Sequence, residues 1–93
     1  VTVQRPATFT IAGVINGAEV RIYDDNGASG SFGTELDGIE SNSGTTFQHS
    51  HDGTTNDILV QMLASGYEEV LTPYTLGSSD QTLTLNPKVE TND

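Results

Sequence analysis

The 93-residue chain has no cysteine, no tryptophan, three prolines, one methionine and only three basic side chains. Each shortage removes a class of function. Without cysteine there is no disulfide, no thiolate metal site and no thiol nucleophile, and the redox compartment is left open. Thirteen acids against three bases give a net charge of −10, and such a surface repels phosphate backbones and anionic lipid headgroups. Nucleic-acid binding and adsorption to an acidic membrane are therefore not expected, and the acids read as a solvated, soluble exterior. No apolar run approaches the roughly 20 residues of a membrane-spanning helix. The first residues carry no signal-peptide pattern. A chain that opens on Val1 reads as processed or as cut from a longer protein. Helical 3.6-residue periodicity is missing over any useful length.

What is present is turn chemistry and alternation. Apolar residues make up 33% of the chain, which suits one modest core. Glycine, serine, threonine, asparagine and aspartate are abundant, a composition for short strands joined by turns. "TFTIAG" (8–13) alternates with Phe9 and Ile11 on one face, and "AEVRIYD" (18–24) places Val20 and Ile22 inward and Glu19, Arg21 and Tyr23 outward. "ELDGIES" (35–41) is a short irregular strand carrying Leu36 and Ile39, and "TTFQHSH" (45–51) alternates again. "DILVQMLAS" (57–65) is apolar on both faces and is expected at the centre of a sheet. "YEEVLTPYTL" (67–76) contains Pro73, which assigns it to an edge or a bend. "QTLTLNP" (81–87) is the last strand, with Leu83 and Leu85 inward. About seven strands at this spacing predict an all-β, antiparallel two-sheet β-sandwich over residues 8–87. An N-terminal arm (1–7) and a polar C-terminal tail (88–93) flank it.

The residues able to carry chemistry are few. His49 and His51 stand two apart on a strand and share a face, and Asp52 follows them. Two imidazoles and a carboxylate are a thin transition-metal donor set. The structural reading of this trio competes with ligation, so no metal or other cofactor is assigned. "DDNG" (24–27) lacks the spacing of a calcium loop, and a hairpin turn alone accounts for Asn26 and Gly27. A weak calcium site among Asp24, Asp25, Glu35 and Asp37 is the alternative. No nucleophile elbow, phosphate-binding loop or dinucleotide fingerprint occurs. Glu68 and Glu69 are adjacent, and in a strand they would face opposite ways. The chain is not expected to be an enzyme.

Three pieces, "GAEVRIYDDNG" (17–27), "GIESNSGTTFQHSH" (38–51) and "DILVQMLASGYEEV" (57–70), stand in an order that resembles the transthyretin-like, Ig-like β-sandwiches related to the regulatory domain of carboxypeptidases. The pattern is also similar to small modules of this kind in virion structural proteins of tailed bacteriophages. That resemblance implies a non-enzymatic module in a multi-subunit assembly, a capsid decoration or a tail or fibre component on the virion exterior. Such a module acts through packing and strand-edge contacts with copies of itself or with a capsid or tail protein. Val1, Val3, Arg5, Ala28, Phe32 and Lys88 are the expected assembly contacts. The alternative is an extracellular or cell-surface module that recognises glycans or protein.

Overall fold

The computed structural model describes residues 6–25 and 33–90. Seven strands form in chain order: β1 (Ala7–Ala12), β2 (Glu19–Asp24), β3 (Glu35–Ile39), β4 (Thr46–His51), β5 (Asn56–Leu63), β6 (Val70–Leu76) and β7 (Gln81–Thr84). They make a three-stranded sheet ordered β4-β1-β7 and a four-stranded sheet ordered β3-β2-β5-β6. The protein is an all-β sandwich.

Alternation builds the core. Phe9 and Ile11 from β1 face Val20 and Ile22 from β2, Ile58, Val60 and Met62 from β5, and Leu76 from β6; all are fully or almost fully buried. The intervening residues Thr8, Thr10, Glu19 and Arg21 are only partly covered. β5 lies between β2 and β6 and buries Leu59 as well, on the opposite face from Ile58, as a central strand should. Pro73 sits opposite Leu59 on β6, an edge strand, where a missing N–H costs no ladder bond if its nitrogen faces outward.

Four of the five ladders are antiparallel; β1 and β7 run parallel, with Ile11 opposite Leu83. The antiparallel two-sheet sandwich expected from the sequence is present, with this one pair as the exception, and the cause is connectivity. Each strand reverses the direction of the one before it, so odd-numbered strands run one way and even-numbered strands the other. Every other neighbouring pair joins an odd strand to an even one, whereas β1 and β7 are both odd.

Close backbone contacts extend the pairing beyond the strand ends. Gly13, at the exit of β1, has φ of +75°, and a Cβ there would lie 2.3 Å from the carbonyl oxygen of Leu85. Leu85 in turn donates its N–H to the Ala12 carbonyl at 2.8 Å. Residues 88–90, expected as a polar tail, are tied to the segment before β6. Glu68 N–H donates to the Lys88 carbonyl, Glu90 N–H donates to the Gly66 carbonyl, and Tyr67 bridges Val89.

Candidate functional site

The histidine face of β4 closes one flank of the sandwich. Phe47, His49 and His51 point inward while Thr46, Gln48 and Ser50 are exposed, so the two imidazoles share a face as the spacing predicts. Their rings are nearly parallel, 10° apart, with centroids 5.9 Å from each other. His49 is almost fully buried, and its Nδ1 lies 2.9 Å from Oδ2 of Asp37 on β3. This contact joins the edge strands of the two sheets. The other carboxylate oxygen of Asp37 accepts the N–H of Gly38 at 2.7 Å, so both oxygens are engaged.

Sequence reasoning paired the histidines with Asp52; the carboxylate that meets His49 is Asp37. Asp52 instead caps its own turn, accepting the Thr54 N–H at 2.9 Å. That bond, with the Thr54 hydroxyl, holds the Asp52 carboxyl below its ordinary range. The signal for Asp37 was available: it stands two residues before Ile39 and so shares its inward face. Leu36 and Ile39 are three apart, and no regular strand buries both. The structure resolves this with a bulge. Ile22 pairs with Asp37 and Tyr23 with Glu35, leaving Leu36 as the extra residue, half exposed.

His51 completes the site. Its Nδ1 lies 3.2 Å from the N–H of Gly53, which can only donate. His51 therefore accepts at Nδ1 and, when neutral, carries its proton on Nε2. That Nε2 is buried and has no hydrogen-bond partner among the described residues. A pocket of about 460 Å³ opens here, lined by Leu36, His49, His51, Thr54, Asn56 and Leu76 among others. Its volume is within the range of ligand sites.

The geometry disfavours a chelated metal. Two nitrogens on one zinc, each about 2.0–2.1 Å from it, can be no more than about 4.2 Å apart. The parallel rings do not converge, and His51 would have to give up its bond from Gly53 to offer Nε2. Among the described residues, no three histidine, aspartate or glutamate side chains gather as a metal site. Asp37 is held by His49, and Glu35 is held by Arg21 at 3.3 Å. Asp37 and His49 have the form of an orienting carboxylate–imidazole pair. The only side-chain hydrogen bond of His49 among the described residues is the one to Asp37.

On the outer face of the four-stranded sheet, Arg21 runs across Gly38 toward Glu19, Glu35 and Glu40 at 2.9, 3.3 and 3.7 Å. A Cβ on residue 38 would lie 2.7 Å from Arg21 Cδ, so the glycine makes the path. The Glu19 hydrogen bond, above all, raises the Arg21 pKa. Of the expected assembly contacts, Lys88 is exposed and its carbonyl is bound to Glu68. Val1, Val3, Arg5, Ala28 and Phe32 lie outside the described residues.

The fold and site together define a β-sandwich with a polar, pocketed flank. No protein-family model matches the chain, and no curated protein matches it either. Among the described residues, no helix is long and apolar enough to cross a membrane.

Proposed function

We propose that this chain is a non-enzymatic structural module of a multi-subunit assembly, of the kind that decorates a bacteriophage capsid or forms part of a tail or fibre. Its contacts are made through a strand edge. The observation that carries this reading is the unequal protection of the four edges. β3 is broken by the bulge at Leu36, and the Gly38 N–H is taken by Asp37. β6 has Pro73 in its middle, and β7 is four residues long. These are the devices by which proteins blunt an edge against unwanted pairing. β4 carries none of them. It is six residues long and in unbroken register with β1, contains no proline or carboxylate, and among the described residues pairs with β1 alone. An edge left open while three are guarded fits a joint made by strand addition.

A second reading, an extracellular module that recognises glycans or protein, is favoured by the pocket beside His51. The two are separated by isolating the tagged protein from its natural source by sedimentation and comparing amide exchange in the bound and free forms. Recovery in a large particle, with β4 amides protected, is the expected result. A free monomer that binds sugars on a glycan array would overturn the assembly reading in favour of the second.

A further inference from the structure

We infer that the Asp37–Gly38 peptide is a self-modification site, where the chain closes a succinimide ring and reopens it as isoaspartate, with His49 as the proton donor. The reaction needs the main-chain nitrogen after an aspartate or asparagine to reach that residue's own side-chain carbonyl carbon. A following glycine favours it, because no Cβ restricts the approach. Three such pairs lie among the described residues: Asn16–Gly17, Asp37–Gly38 and Asp52–Gly53. In two of them the nitrogen is held elsewhere. Gly17 N–H donates to the Asn42 carbonyl at 2.6 Å, and Gly53 N–H donates to His51 Nδ1 at 3.2 Å. Their side chains are engaged elsewhere too: Asn16 Oδ1 accepts from Gly44 N–H, and Asp52 Oδ1 accepts from Thr54 N–H. At Asp37 the glycine nitrogen lies against the carboxyl it would attack, 2.7 Å from Oδ1.

The other carboxylate oxygen supplies the rest of the chemistry. Oδ2 lies 2.9 Å from His49 Nδ1, and a carboxylate only accepts, so Nδ1 carries the proton. The step balances on these groups. The Gly38 nitrogen bonds to Cγ of Asp37, and one Cγ–O bond breaks. The amide proton and the Nδ1 proton of an imidazolium leave with that oxygen as water. A carboxylate and a charged His49 thus become a neutral ring and a neutral imidazole. Water then opens the ring: attack at Cγ restores aspartate, and attack at the main-chain carbonyl gives isoaspartate. Ring closure turns the nitrogen out of its hydrogen bond and onto Cγ. Asp37 follows the bulge at Leu36 on a strand that ends its sheet among the described residues, and such positions open at low cost. Its side chain is 38% exposed, so water reaches the ring. Isoaspartate adds one main-chain atom to β3 and withdraws the carboxylate from His49, which loosens the flank where β3 meets β4.

The test ages the intact chain in warm neutral buffer, one sample folded and one unfolded in urea. Cleavage after glutamate releases residues 36–40 and 41–68 as separate fragments, so Asp37 and Asp52 are read from one sample. Isoaspartate in each is measured by enzymatic methylation and by electron-transfer fragmentation. In the folded protein Asp37 should isomerise about tenfold faster than Asp52, because its groups are already placed. In urea the two should react alike, since both precede glycine. His49→Gln can still hydrogen-bond Oδ2 but has no acidic proton to give. In that variant the folded rate at Asp37 should fall about tenfold, with Asp52 unchanged. A folded Asp37 that isomerises no faster than Asp52 would overturn the site. An unchanged Asp37 rate in His49→Gln would overturn the role of His49 and leave the site standing. The comparison of folded with unfolded chain uses the parent protein alone, so it decides the site whether or not the variant folds.

Discussion

The two flanks of the sandwich are closed by opposite means. Where β6 meets β7, Tyr74 stacks on Phe9 with ring centroids 4.8 Å apart, and Gln81 reaches both the Tyr74 hydroxyl and the Thr75 carbonyl. Where β3 meets β4, the closing contact is one carboxylate on one imidazole, and a pocket stands beside it. The apolar flank is held first by burial of the stacked rings, which has no directional demand, with the Gln81 hydrogen bonds added to it. The polar flank is held by directional bonds of modest net worth. The guarded edge, β6 with its proline, is on the first flank, and the open edge, β4, is on the second. The flank between β6 and β7 and the flank between β3 and β4 are therefore closed by different chemistry.

The largest effect should come from the apolar flank. Phe9→Ala removes a ring that is 0% exposed and deprives Tyr74 of its stacking partner. Urea unfolding should show a loss of about 3–5 kcal/mol, a large share of a small domain's stability. A loss below about 1 kcal/mol would mean that this flank is not the tighter one.

Gly13→Ala is next, because it combines a positive φ with a backbone atom in the space a Cβ needs. The expected cost is about 1–3 kcal/mol. Gly17 has a similar φ of +88° but nothing within 4 Å, so its alanine variant should cost less, about 1 kcal/mol. Equal costs at the two sites would show that the contact with Leu85 is not what fixes the crossing.

On the polar flank, a double-mutant cycle of Asp37→Asn with His49→Phe should give a coupling of about 1 kcal/mol. A coupling near zero would break the comparison, since the flank would then be held by packing alone.

The smallest effect belongs to Asp52→Asn. The folded carboxyl sits below its unfolded range because Thr54 donates to it. Its contribution is therefore present above the unfolded aspartate pKa and is lost as pH falls through the folded one. The variant should show a slightly lower urea midpoint than the parent at neutral pH. The difference should close as both are titrated below about pH 4. A gap that widened in acid would reverse the assignment.

Much of this was legible in the residues. Period two in "TFTIA" and "EVRIY" marked the buried faces that the structure shows, because a strand has only two sides and water covers one of them. "DILVQML" read as central since both its faces are apolar, and Pro73 read as an edge or a bend, of which the structure shows the edge. The shared face of His49 and His51 followed from their spacing alone. Their partner did not. Asp37 comes from a strand on the other sheet, and nothing local in "ELDGI" tells which residue it will meet across an interior. Leu36 was legible only as a conflict, an apolar residue at the wrong interval from Ile39, which a bulge resolved. The edge position of β4 among the described residues was equally hidden, because an edge is defined by which strands fail to pair with it.

The sequence by itself determined the alternation, the turns and hence a layered β fold, for these depend on neighbours along the chain. The tertiary structure decided the parallel β1–β7 pair and the union of Asp37 with His49. Each of those joins residues distant in sequence, and only the order in which the strands cross between the sheets brings them together.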